Sequence, residues 1–239
     1  MNAPVASPSA MADGARALAW DGPTRLFKWS LVVLVVDGWL SNAIGGSWPA
    51  WHKWNGYLAL ILILFRVMWG FVGGSTARFT NFVALPGRAL AYVRAAAEGE
   101  PQKFLGRNPL GGWMVVALIG LVGLQCVSGL FSADEDRLVI DGPLVKLVAD
   151  STVSFAARWH HRLFDALQIL VALHVVATLF YTFVKREPLI AGMVTGSKPL
   201  APYVDQKSTQ PGSWRAAGVC LALSAAIVLG GILAAGGKL

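Results

Sequence analysis

Four histidines, His52, His160, His161 and His174, are the side chains best suited to chemistry in this sequence. Neutral imidazole is the commonest metal-binding side chain, and all four lie at the ends or in the interior of apolar stretches rather than in polar loops. His160 and His174 are 14 residues apart, close to four whole helical turns, so both project from nearly the same face of one helix. At 1.5 Å per residue they sit about 21 Å apart along its axis. His161 is 13 residues from His174 and is expected to point well away from that face. Cys126 and Cys220 both fall inside apolar runs and form no C-x-x-C arrangement, which leaves zinc and iron–sulfur binding without support.

The elements that must carry these side chains are membrane helices. The chain has 239 residues, is 55% hydrophobic and 14% charged, and has a mean hydropathy of +0.56. A soluble domain carries about 25% charged residues. Five apolar runs, roughly 26–44, 54–72, 112–131, 159–183 and 215–236, each approach the roughly 20 residues that a hydrocarbon core requires. The expected fold class is all-α, an integral membrane bundle with a four-helix core and a fifth, C-terminal transmembrane helix. Residues 1–22 hold no apolar core of signal-peptide length and read as a disordered cytoplasmic tail. Residues 23–200 form the transmembrane domain, and 201–239 a polar linker and the fifth span. The stretch NFVALPGRALAYVRAAA is amphipathic enough to lie along the interface.

The net charge of +7 orients the chain rather than serving a nucleic acid. Arg16, Arg25, Lys28, Arg78, Arg88, Arg94, Lys103, Arg107, Lys185, Arg186, Lys198, Lys207 and Arg215 collect on one side. Lys53, Arg137, Lys146, Arg158, Arg162 and Lys238 collect on the other, among the acids Asp134, Glu135, Asp136, Asp141 and Asp150. The positive-inside rule then places the N-terminus in the cytoplasm and the C-terminus in the periplasm, across a bacterial inner membrane.

That topology matches the histidines by depth. His52 opens the second run at the level of His160, whereas His174 is deep, near the level where Lys28 begins the first run. Ligands facing one another at two depths of a bundle are what two stacked b-type haems need. Arg66 follows His52 by 14 residues and lies deeper on the same face, where no carboxylate offers an obvious partner. A haem propionate would serve it; helix packing or a pair with Asp37 is the alternative. Arg158 and Arg162 could do the same at the outer level, or anchor the interface.

The motifs DGPTRLFKW, WHKWNGY followed by LFRVMWGFVG, ARFTNFV, NPLGGWMV and WHHRLFDALQILVALH together resemble the bacterial cytochrome b561 family, including the b-type cytochrome subunit of nickel–iron hydrogenases. The resemblance spans roughly 21–200. It implies a four-helix membrane cytochrome binding two b haems and moving electrons between quinone and a redox partner. The partner would be a c-type cytochrome or a dehydrogenase or hydrogenase subunit. It implies an outer haem on His52 and His160 and an inner haem on His174 and the residue at Lys28, where the family pattern has histidine. Three readings of Lys28 stay open. It ligates iron as the neutral amine that burial favours, it turns to the headgroups and leaves the iron five-coordinate, or the inner haem is absent. Two further functions compete with the electron carrier: an anchor subunit within a dehydrogenase or hydrogenase complex, and an enzyme oxidising superoxide or acting on quinone by itself. Asp37, Gln125, Asp165 and Gln168 are polar groups inside spans that would either handle quinone protons or bond helix to helix.

Overall fold

The structure, a computed structural model, describes residues 16–44, 49–99, 102–133, 141–200, 203–205 and 209–239. The acidic positions Asp134, Glu135 and Asp136, together with Arg137 and Lys207, lie outside the described residues.

Helices α1 (Gly22–Ile44), α2 (Pro49–Val72), α3 (Phe79–Phe82), α4 (Pro86–Ala97), α5 (Pro109–Leu130), α6 (Asp150–Leu179), α7 (Leu189–Thr195) and α8 (Trp214–Ala234) follow in order. A π-helical turn, Phe180–Val184, prolongs α6. Among the described residues, four helices are long and apolar enough to cross a membrane: Ala50–Val72, Pro109–Leu130, Asp150–Val184 and Trp214–Ala234. Helix α1 is as long and carries Arg25, Lys28 and Asp37, with the apolar run LVVLVV between the last two.

Burial identifies the central element. Half of the most apolar stretch of α2 is buried, against 11% for α5 and 6% for α6. Accordingly α2 packs against α1, α5 and α8, while α6 joins the bundle through α5. Residues Ile63 of α2, Val122 of α5 and Leu167 of α6 form one core cluster, and Tyr57, Ile61, Val228 and Ile232 tie α2 to α8. The apolar side chains that remain exposed on α5, α6 and α8 suit lipid, which is as apolar as they are.

Two helix starts lie upstream of the expected apolar runs for a local reason. Asn108 caps α5, its side chain accepting from the Gly111 N–H with Pro109 in the first turn. Helix α6 begins at Asp150, not near 159, because the polar turn DSTVSF is no barrier to helix once the apolar part is anchored. The interfacial expectation corresponds to α4, which packs on α5 through buried Tyr92 and leaves Leu90 and Val93 outward.

The expected tail needs correcting at its far end. Arg16–Leu18 is a strand, β1, pairing antiparallel with β2 (Ser197–Pro199), and Ala19, Trp20 and Asp21 are buried. Composition hid this, since a three-residue strand has no periodicity to read. The Asp21 carboxylate then fastens three elements. Oδ1 accepts from Thr24 N at 2.9 Å, capping α1, and Oδ2 accepts from Gly74 N and Gly212 N, both at 3.3 Å. Those two glycines follow α2 and precede α8. A Cβ at Gly74 would lie 2.5 Å from Asp21 Oδ2, so only glycine permits the approach. Trp69, fully buried, adds a bond from Nε1 to Thr24 Oγ1 at 3.2 Å.

Two substitutions test this packing by thermal unfolding followed through tryptophan fluorescence in detergent. Asp21→Asn sets an amide against N–H donors and is expected to cost about 2–4 kcal/mol. Gly112→Ala places a Cβ 2.4 Å from the Phe82 carbonyl oxygen and should cost about 1–3 kcal/mol. Gly120→Ala, with nothing within 4 Å, should leave the midpoint unchanged.

Candidate functional site

The antiparallel pairing of α1 and α2 sets the outer level. Asn55 Nδ2 donates to the Leu34 carbonyl at 3.0 Å, and Trp51 Nε1 donates to both oxygens of Asp37 at 3.0 and 2.8 Å. This register brings Ser41 Oγ within 3.0 Å of His52 Nδ1. Across the bundle, His160 Nδ1 donates to the Gln125 carbonyl oxygen at 3.0 Å, with Ser128 Oγ at 3.1 Å. A carbonyl can only accept, so the proton sits on Nδ1 and the lone pair on Nε2, where the Gln125 amide donates at 3.2 Å. A Cβ at Gly129 would come 3.0 Å from His160 Cε1, so its absence lets the ring lie against α5.

The two rings therefore meet as the depth argument expects. Their centroids are 6.3 Å apart with planes at 85°. Two imidazoles on one metal ion need a bond of about 2 Å each, and roughly another 1 Å from each nitrogen to its ring centre, which makes about 6 Å. Nδ1 bonds to a carbonyl or a hydroxyl are also the usual way a ligating histidine is oriented.

Both rings border a cavity of about 830 Å³ between α1, α2, α5 and α6, within the range of cofactor sites. Its walls are mostly apolar, including Val35, Val122, Leu167 and Val171. Three buried polar atoms without a hydrogen-bond partner among the described residues, Asn55 Oδ1, Tyr57 Oη and Gln125 Oε1, belong to its lining residues. Buried polar groups are nearly always paired, so the residues present fit a large, mainly apolar group with a few polar atoms. His161, expected on a different helix face from His160 and His174, also borders the cavity, its ring 6.4 Å from that of His160.

Arg158 and Arg162 are exposed and neither borders the cavity; Arg162 lies over the Trp159 ring at 5.8 Å. Each is two residues from His160, about 200° around the helix, so a histidine facing α5 turns both arginines outward.

The inner level is built differently from the expectation. The Lys28 amine lies 2.8 Å from Met193 Sδ and 3.8 Å from the centre of the Trp20 ring. His174 is exposed on α6, and among the described residues no hydrogen bond joins it to Lys28. Arg66 is 1% exposed, donates from Nη2 to the Ala77 carbonyl at 3.0 Å and packs on Phe79. Its neighbouring carboxylate is Asp21, not Asp37, whose oxygens take the Trp51 indole at the other end.

Arg107 escaped the sequence reading. Its Nη1 donates to Thr76 O at 2.9 Å, and its guanidinium lies 4.2 Å from the Phe82 ring and 4.4 Å from Trp20. Arg66 Nη1 and Arg107 Nη2 are buried and donate to no acceptor among the described residues. Its place just before the Asn108 cap is the signal in the sequence, and its packing partner Trp20 lies in the stretch that composition reads as tail.

Residues 19–196 match a family model described as prokaryotic cytochrome b561. Three relatives carry the name probable Ni/Fe-hydrogenase B-type cytochrome subunit. That of Bradyrhizobium diazoefficiens is 24% identical over 231 residues, covering 81% of this chain and 93% of its own. That of Azotobacter vinelandii is 27% identical over 212 residues, covering 74% and 86%. That of Azotobacter chroococcum mcd 1 is 28% identical, with the same coverage. No solved structure matches the chain. The family match covers every histidine and both ends of the cavity-lining helices, and the chain is thus a membrane b-type cytochrome that belongs to the prokaryotic cytochrome b561 family.

Proposed function

We propose that this cytochrome carries electrons across the bacterial inner membrane between the quinone pool and a redox partner protein. The observation that carries the reading is the His52–His160 pair, 6.3 Å between ring centres on the wall of one cavity. These two histidines hold the outer haem b. Bound haem supplies a one-electron iron couple to the site. Ser41, Ser128 and the Gln125 carbonyl hold the two Nδ1 atoms, which leaves Nε2 as the nitrogen for iron once the Gln125 amide withdraws from that of His160. Val35, Val122 and Leu167 keep water from the ligands, and the unpaired Asn55, Tyr57 and Gln125 atoms supply polar contacts.

His174 would hold an inner haem, and Lys28, whose amine lies against the Met193 sulfur in the structure, would be its second ligand. Arg66, with Arg107 beside it, holds the inner carboxylates; their buried unpaired N–H groups support that role. Arg158 and Arg162 serve the outer carboxylates only if their side chains fold back over the rim; as exposed residues they also anchor the interface. Helix α1 counts as a span beside the four apolar ones, with the N-terminus cytoplasmic and the C-terminus periplasmic.

The names of the three relatives favour a hydrogenase as the partner on one side. In that setting the chain also serves as the membrane anchor of the complex. A c-type cytochrome is the alternative partner, and quinone occupies the other side.

Pyridine haemochrome on the purified protein, with low-temperature EPR of the oxidised form, tests the assignment. His160→Ala should remove about half of the haem and one low-spin signal, and His174→Ala the other half. Unchanged haem in His160→Ala would sink the outer assignment. Lys28→Ala should convert the second low-spin signal to high spin; an unaffected spectrum would show that Lys28 is not a ligand. Removing the orienting hydroxyls with Ser41→Ala and Ser128→Ala together should weaken haem retention about 10- to 100-fold, seen as loss of haem on dilution. Co-purification of a large hydrogenase subunit from the native membrane would separate the complex-bound carrier from one that acts alone.

A further inference from the structure

The end of α6 carries a second recess, remote from the histidines. It has a volume of about 160 Å³ and is lined by Lys103, Lys185, Arg186, Lys198, Glu187 and Tyr203, besides two prolines. Four cations line the recess with one carboxylate, Glu187, while Asp205 nearby also acts on Lys198 and accepts from the N–H groups of Leu105 and Gly106. Lys198 is 1% exposed, and its amine donates to the uncharged carbonyl of Phe104 at 3.1 Å. An ammonium has three donors, so the rest of its capacity is directed elsewhere in a place where charge without compensation is costly. Burial pushes the Lys198 amine down against the pull of Glu187 and Asp205, and the Glu187 carboxyl up against that of Lys198 and Lys103.

The backbone holds this arrangement deliberately. The π-helical turn Phe180–Val184 ends as Lys185 N and Glu187 N donate to the carbonyls of Phe180 and Tyr181 at 3.2 and 3.0 Å. Between them Arg186 has φ 55, the left-handed region that a non-glycine residue rarely enters. Such strained residues gather at ligand clamps. β2 presents Lys198 from the opposite wall, and Gly192 of α7 leaves room for its stem, since a Cβ there would lie 3.3 Å from Lys198 Cγ.

Position decides the ligand. The membrane-crossing stretch of α6 ends at Val184, and Lys185 and Arg186 follow at once. Phe183 and Val184, 71% and 64% exposed, face outward immediately before them, where acyl chains would run. Cations over an apolar lip at the edge of the hydrocarbon suit a molecule with a phosphate head and two apolar tails. Basic pockets of this kind at the cytoplasmic surface recognise anionic lipids. We propose that this recess binds the phosphate of an anionic phospholipid, held by Lys103, Lys185, Arg186 and Lys198. The bound lipid joins the end of α6 to β2 and to the loop before α5, and so steadies the inner end of the helix that bears His160 and His174.

Native mass spectrometry of the full chain, delipidated in detergent, tests this with phosphatidylglycerol and phosphatidylcholine titrated separately. Each interfacial cation contributes about a factor of five. The double variant K185Q/R186Q, altered at exposed positions, should therefore bind phosphatidylglycerol about 30-fold more weakly, with phosphatidylcholine unaffected. The wild type by itself should prefer phosphatidylglycerol, which needs no variant to fold. Equal affinity for the two lipids, or full affinity in the double variant, would overturn the proposal. Displacement of phosphatidylglycerol by millimolar inorganic phosphate would also overturn it, by making the site one for soluble phosphate; no displacement is the expected result.

Discussion

A buried, hydrogen-bonded carboxylate is the constraint on which the inner half of this protein depends. Asp21 is 2% exposed, and a carboxylate buried in an apolar bundle must have its oxygens hydrogen-bonded. The same carboxylate accepts the N–H groups of Thr24, Gly74 and Gly212, so the buried charge is also a mechanical joint. One side chain decides where α1 begins, where the chain after α2 turns and where the approach to α8 passes. Among the described residues the outer half has no buried charged side chain. It is organised by neutral imidazoles, hydroxyls and a main-chain carbonyl around an apolar-walled cavity. The protein is thus built as two unlike halves on a shared set of helices.

The two halves were unequally legible in the sequence. Apolar length revealed the helices, because a span must be near a fixed number of residues whatever its neighbours do. The pairing of His52 with His160 followed from depth alone, since two helices that both start at the outer surface and run inward bring their first turns to one level. Rotation was less legible. His161 borders the cavity despite its spacing, because a wide cavity gathers more than one helical face. Arg158 and Arg162 looked useful from their proximity in sequence, yet helical rotation turns them away from the ring they flank.

Short contacts between distant segments were not legible at all. The pairing of Arg16–Leu18 with Ser197–Pro199 joins residues about 180 positions apart through three-residue strands, too short for any pattern. The same ribbon places Trp20 under Lys28 and Arg107, so the surroundings of Lys28 depend on residues that composition assigns to a tail. Caps fared similarly: Asn108 and Pro109 are recognisable as a helix start, while the role of Arg107 beside them depends on a carbonyl of Thr76 in another loop.

The separation of the paired histidines along the chain has a consequence for biogenesis. His52 lies on α2 and His160 on α6, 108 residues later. At about 5–20 residues per second, roughly 5–20 s pass on the ribosome between them. During that interval α1, α2 and α5 are available to assemble through the core of α2, while one wall of the cavity has yet to be made. A planar cofactor arriving then meets a half-built, laterally open slot rather than a closed chamber. Insertion of α6 completes the enclosure from the side, so the order of synthesis itself provides a loading window that a finished bundle would have to reopen.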